Sequence, residues 1–240
     1  MKIIEKIMQK QKNLRDNSAV TLAFLGDSVT QGCFEVYLQQ SGEIQTVFDA
    51  NSSYHRYIAQ LLTMLYPSVP VNIINAGISG TTATNGLSRL DRDVLRHDPD
   101  LVVVCFGLND AMSGDDKVCQ YVEALEQIFQ KLAERNIEVI FMTPNMMCTE
   151  VSCCITDDKI RTIAQQVKAV QNGGTLKRYL EAAKAVCAKC RVPVCDCYEK
   201  WELLHASGVN ITNLLSNQIN HPTRQMNWLF AVSLLEQMMR

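Results

Sequence analysis

Apolar residues in this chain fall into short runs separated by segments of helical spacing. Val20-Thr-Leu-Ala-Phe-Leu25 is rich in strand formers and stops at the turn signal Gly26-Asp27-Ser28. Val71 to Ile74, Leu101 to Phe106, Ile137 to Met142 and Val192 to Cys195 read as four more strands. Between them, Tyr54, Tyr57, Ile58, Leu61, Leu62 and Leu65 recur with helical period, as do Leu87, Leu90, Val94 and Leu95 within 81–96. Residues 121–133 and 159–190 also read as helix, the second broken at Asn172-Gly173-Gly174, and a last helix is expected over 223–239. Ile3, Ile4, Ile7, Met8 and Leu14 predict a leading amphipathic helix within residues 1–18 that covers one face of the body. Residues 145–158 read as irregular.

Strands alternating with helices predict an α/β fold, a three-layer α/β/α sandwich around a five-stranded parallel sheet. With no linker, repeat or low-complexity tract, residues 1–240 are expected to form a single domain.

Composition narrows the function. Hydrophobic residues make up 47% and charged residues 20%, which excludes intrinsic disorder. The 23 basic and 25 acidic residues leave a net charge of -2, so there is no electrostatic case for binding nucleic acid or an acidic membrane surface. The longest apolar run, 101–108, is too short to span a bilayer, and charges interrupt the apolar residues of the N-terminus. The expectation is a cytoplasmic protein with no stable membrane association. The ten cysteines then read as reduced thiols. Cys187-x-x-Cys190 with Cys195-x-Cys197 is the best arrangement for zinc. But the first pair ends a helical pattern and the second lies in a strand, whereas zinc ribbons hold their cysteines on tight turns. Small buried thiols are the expectation, with no metal.

In an open parallel sheet, ligands bind beyond the C-terminal ends of the strands. The segments there are Gly26-Asp27-Ser28, Asn75-Ala-Gly77-Ile-Ser-Gly80, Gly107-Leu-Asn109-Asp110 and Thr143-Pro-Asn145, joined near the C-terminus by Gln218-Ile-Asn-His221-Pro222. A serine at a strand-to-loop turn can present its hydroxyl as a nucleophile. It needs a base, and neutral histidine is the usual one. It also needs N–H donors for an oxyanion, which a glycine backbone and an asparagine amide supply. Gly77-x-x-Gly80 lacks the dinucleotide fingerprint, and Asp27 lacks the further carboxylates and lysine of phosphoryl transfer. His55, His97 and His205 read as structural, and Arg89, Asp91, Arg92 and Asp93 as a solvated helix face.

Gly26-Asp27-Ser28, Gly80, Gly107-x-Asn109-Asp110 and His221-Pro222, taken in order, resemble the SGNH (GDSL) hydrolases. These are serine esterases and lipases of flavodoxin-like α/β/α fold, including carbohydrate deacetylases and lysophospholipases. The resemblance runs from about residue 20 to residue 230. It implies Ser28 as nucleophile and, through its backbone N–H, first oxyanion donor. It implies Gly80 and Asn109 as further donors, His221 as general base, and no cofactor. One position departs from the family. Gln218 stands where an aspartate usually orients the histidine. A glutamine oxygen can accept the imidazole N–H but carries no charge, so a main-chain carbonyl or an acidic residue from another loop is a candidate for that place.

The expected activity is hydrolysis of small acyl esters, such as O-acetylated carbohydrate, with a small-molecule ester as the partner. A lysophospholipase or thioesterase is the enzymatic alternative. A non-catalytic acyl-carbohydrate binding module is the other, if Gln218 has disabled the site. Residues 33–53, with Phe34, Glu35, Tyr37 and Phe48, are expected to line the pocket. Residues 145–158, with Met146, Met147 and Cys148, are a second wall or cover that suits broad specificity. The N-terminal helix and Met238-Met239 can pack on the body or on a second copy of the chain.

Overall fold

A computed structural model describes residues 1–240. The chain runs α1 (Lys2–Lys12), β1 (Val20–Gly26), α2 (Ser28–Gln31), β2 (Cys33–Leu38), β3 (Ile44–Phe48), α3 (Tyr54–Leu65), β4 (Val71–Gly77), α4 (Ala83–Asp93), β5 (Leu101–Cys105), α5 (Leu108–Ala111), α6 (Val118–Glu134), β6 (Glu138–Met142), α7 (Asp158–Asn172), α8 (Thr175–Cys190), β7 (Val194–Cys195), α9 (Cys197–Ala206) and α10 (Asn227–Met239). Five strands form one parallel sheet in the order β4-β1-β5-β6-β7. These are the five strands the sequence predicts. β5 is buried along its whole length, as a strand covered on both faces must be. α3 and α10 pack together on one face, and α4, α6 and α8 on the other. The strand order reverses at β1, which places a crevice beyond its C-terminal end, between the loops after β4 and β5.

The leading helix is anchored at the opposite edge. Ile3 and Ile7 are buried, and the Glu138 carboxylate at the start of β6 accepts the backbone N–H groups of Lys2 (3.1 Å) and Ile3 (2.8 Å). An acidic group there suits the positive end of the helix dipole. Lys6 pairs with Asp100, which also accepts the Thr21 N–H at 2.8 Å.

Several elements differ from expectation. Residues 33–48 form an antiparallel hairpin, β2 with β3, outside the main sheet. Its strands are mostly half-buried, so no clean alternation marks them in the sequence. α9 also escaped prediction, because its apolar residues do not collect on one face. The last helix begins at Asn227, not at 223 as expected, so a longer loop carries His221 ahead of it. Met146, Met147 and Cys148 are core residues, at most 4% exposed, so they offer no adaptable surface to a substrate.

Arg89 is the clearest correction. It is 6% exposed and does not belong to a solvated face. Its guanidinium donates to the carbonyls of Ala76 (2.6 Å) and Gly26 (2.8 Å), and to Asp93 (3.3 Å). It thereby ties the ends of β4 and β1 to α4. Arg89→Met keeps the stem and removes the donors. The expected result is a loss of roughly 2–4 kcal/mol from stranded buried carbonyls. For a chain of this size that lowers Tm by about 5–15 °C, read by thermal unfolding followed by circular dichroism.

Candidate active site

The serine turn depends on two glycines. A Cβ on Gly26 would lie 2.0 Å from Thr30 Oγ1 and 2.8 Å from the Cys105 carbonyl, and one on Gly77 would lie 2.2 Å from the Gln31 nitrogen. Bare backbone at both positions lets α2 fold down onto the strand ends. Asp27 caps this short helix, its Oδ1 accepting the Val29 N–H at 3.0 Å. Ser28 is the first helical residue, so its own backbone N–H has no intrahelical acceptor. Ser28 is 4% exposed.

His221 is delivered by a tightly bonded loop. Asn217 Oδ1 accepts the N–H groups of Ile219 (3.0 Å), Asn220 (2.9 Å) and His221 (3.0 Å). Asn145, after β6, donates to the Asn220 carbonyl at 2.9 Å. The ring then meets two partners. Nε2 lies 3.0 Å from Ser28 Oγ, and Nδ1 lies 2.9 Å from the Phe34 carbonyl oxygen. A carbonyl can only accept, so Nδ1 carries the proton and the Nε2 lone pair faces the serine hydroxyl. Burial pushes the imidazole below its ordinary pKa of 6.5, while the Phe34 carbonyl and the Glu35 charge pull it back up. The ring is therefore neutral at neutral pH, the form a general base needs.

Gln218 does not orient the ring. Its backbone is left-handed (φ 61°), and its Oε1 is buried without a partner. The residue lines a cavity of about 410 Å³ with Glu35, Tyr37, Leu38 and Ile155. The expected consequence concerns Gln218→Asp. Because no bond to the imidazole changes, kcat/KM for p-nitrophenyl acetate should stay within about threefold of wild type. A gain of about tenfold or more would mean that the side chain at 218 reaches Nδ1, in conflict with the Phe34 contact.

The two remaining sequence candidates lie on the loops that flank Ser28. Gln31 Oε1 accepts the Ser79 N–H at 2.7 Å and so holds the Gly80 loop against the serine turn. Gly80 has φ 75°, is exposed, and its N–H has no acceptor within the protein. Asn109, at the start of α5, donates one amide N–H to the Thr81 carbonyl at 3.0 Å, leaving the other unengaged. Asp110 accepts the Ala83 N–H at 2.9 Å and fixes the start of α4. Two carboxyls are thus buried beneath the site. Burial, reinforced by the charge of Asp110, pushes Asp27 up to about 7, and burial pushes Asp110 up to about 6.

The other histidines lie elsewhere. His55 is buried against Ser53 Oγ at 2.7 Å, with burial taking its pKa down to about 4. His97 sits in the turn before β5 and His205 near the end of α9. Cys195 and Cys197 have sulfurs 3.8 Å apart in the core, and Cys187 is buried in α8. A main-chain carbonyl behind His221 was among the sequence candidates, but its place at Phe34 was not foreseen, nor was the part of Gln31. A backbone oxygen has no sequence signature, whereas the polar Gln31 just after the serine was a readable sign.

The model of the GDSL-like lipase/acylhydrolase family matches residues 24–229. The chain belongs to this family. An acetylxylan esterase of Geobacillus stearothermophilus is 31% identical over 97 residues, covering 40% of this chain and 42% of that protein. An arylesterase of Vibrio mimicus is 48% identical over 44 residues, covering 18% of this chain and 22% of that protein. The chain thus matches less than half the length of either relative. Among solved structures, the Geobacillus stearothermophilus acetylxylan esterase superposes with a TM-score of 0.67 at 21% identity, over 92% of this chain and 94% of that one. A lipase/acylhydrolase of Enterococcus faecalis gives 0.66 at 22% identity, over 91% and 95%. At these identities the likeness is one of fold. No helix of the GDSL-family chain is long and apolar enough to cross a membrane.

Proposed function

We propose that this GDSL-family chain is a serine ester hydrolase for short acyl esters, with O-acetylated carbohydrate as the first substrate class to test. The observation that carries the proposal is the 3.0 Å contact between Ser28 Oγ and His221 Nε2, with Nδ1 engaged by a carbonyl so that Nε2 is the acceptor. Ser28 gives its proton to His221 as Oγ attacks the ester carbonyl. The tetrahedral oxyanion is held by the backbone N–H groups of Ser28 and Gly80 and by the free Asn109 N–H. The imidazolium then protonates the departing alcohol, leaving Ser28 acylated. Water attacks the acyl-enzyme and gives a proton to the same imidazole, and collapse releases the acid and restores Ser28.

Ser28 and His221 are 4% and 6% exposed, a confined setting that favours acetyl over long chains. The acetylxylan esterase relative favours the same choice. The paired, serine-facing imidazole weighs against a binding module. The test is a series of p-nitrophenyl esters of increasing chain length beside acetate release from acetylated xylo-oligosaccharide. The expected profile is highest kcat/KM on acetate, falling at least about tenfold by octanoate, as a pocket rejects added methylenes. A profile rising with chain length would favour the lysophospholipase reading. No turnover of any ester would favour the binding module.

A further inference from the structure

What replaces the usual carboxylate behind His221 is a main-chain oxygen, and one side chain ties that oxygen's surroundings together. Arg224 lies three residues beyond the histidine. Its Nη1 and Nη2 donate to the two oxygens of Glu35 (2.5 and 3.1 Å), and its Nε donates to Asp49 Oδ2 (3.1 Å). Its guanidinium carbon lies 4.3 Å from the centre of the Phe34 ring. Glu35 follows Phe34 on β2, and Asp49 follows β3, where its N–H donates to the Gly32 carbonyl at 2.8 Å. One guanidinium therefore ties Glu35, next to the Phe34 carbonyl that His221 uses, to Asp49 at the end of the other strand of the hairpin.

The chemistry of the contact suits positioning. A two-pronged guanidinium–carboxylate pair fixes orientation as well as distance. The members are part-exposed, Arg224 at 33% and Glu35 at 43% of the side chain, and such pairs contribute little to stability. Their placement matters more, since a small displacement of the Phe34 carbonyl turns the imidazole away from Ser28. A carbonyl dipole also lacks the full charge that a triad carboxylate offers the imidazolium. The charged groups around the ring are Glu35 on β2, Asp49 after β3, Asp27 beside Ser28 and Arg224 on its own segment. Of these, the Glu35 charge pulls the ring's pKa up against the effect of burial.

We propose that Arg224 is a positioning residue for the base: through Glu35, Asp49 and the Phe34 ring it holds the Phe34 carbonyl on His221 Nδ1, and the Glu35 carboxylate it fixes there supplies the negative charge that the carbonyl lacks. Its catalytic consequence rests on the reading of Ser28 and His221 as nucleophile and base.

The test compares wild type with Arg224→Met, Arg224→Lys, Glu35→Gln and, as the control for the underlying reading, Ser28→Ala. Turnover of p-nitrophenyl acetate is measured across the pH range, with Tm in parallel. NMR of the histidine ring nitrogens reports tautomer and titration without needing turnover. Arg224→Met should lower kcat by on the order of 10²-fold with KM within about threefold, because the base is misplaced and the acyl group is not touched. Lysine should recover only part, lacking the fork. In Arg224→Met the ring should lose its fixed Nδ1–H tautomer. In Glu35→Gln, removing a carboxylate should lower the His221 pKa, moving both the ring titration and the acidic limb of kcat/KM to lower pH. A purely structural role would lower Tm and leave these readouts unmoved. Arg224→Met with wild-type kcat and ring tautomer, or Glu35→Gln with an unmoved titration, overturns the proposal. If Ser28→Ala keeps the wild-type rate while the ring responds as expected, the hydrolase reading fails and the positioning role stands.

Discussion

Ser28→Ala is expected to abolish turnover of p-nitrophenyl acetate, lowering kcat by on the order of 10⁴- to 10⁶-fold. The serine hydroxyl is the only group within reach of His221 Nε2 that can form the acyl-enzyme. His221→Ala should cost a similar factor, because the hydroxyl without its base is a weak nucleophile. The double substitution should cost little more than either single one, since the two groups act as a unit. Stability should barely change in Ser28→Ala. The hydroxyl bonds only to His221, and the turn is built by Gly26, Gly77 and the Asp27 cap. The measurement is steady-state hydrolysis with Tm beside it. A wild-type rate in a folded Ser28→Ala protein would remove the serine mechanism altogether.

Asn109→Ala is the second large effect. The free amide N–H is held in place by the bond of its twin to the Thr81 carbonyl at 3.0 Å. A donor fixed in advance needs no reorganisation when charge develops on the substrate oxygen, which is why loss of one such donor costs about 10² to 10³ in kcat. KM should move little, because the donor acts mainly on the tetrahedral state. Losing the bond to Thr81 should cost about 1 kcal/mol of stability, a separate and smaller signal. Steady-state kcat and KM on p-nitrophenyl acetate read the first, and Tm reads the second. A loss below about fivefold would place the oxyanion on the Ser28 and Gly80 N–H groups alone.

The order of effects follows from what each group touches. In the proposed mechanism Ser28 and His221 exchange the proton, Asn109 faces charge that exists only transiently, and Arg224 acts at one remove through a carbonyl. Arg89 acts on the scaffold, joining two strand ends to α4. Its substitution should therefore be read in Tm before it is read in rate.

The α/β class, the five parallel strands and the segments that carry Ser28, Gly80, Asn109 and His221 were legible in the residue pattern alone. Period-two and period-3.6 patterns report burial along one segment, and the strand-end glycines and polar residues report where a crevice opens. The hairpin β2–β3 was not legible, because half-buried strands show no alternation. Arg89 was misread because its burial is set by the carbonyls of β1 and β4, which lie far from it in the chain. Gln218 marked a missing carboxylate, and a main-chain carbonyl was one candidate to replace it, but the residue that supplies it was not legible. The folded chain supplies it, by bringing the Phe34 oxygen to within 2.9 Å of His221 Nδ1 across 187 residues. A backbone carbonyl is the same at every position, so its role belongs to the folded chain and not to the identity of residue 34.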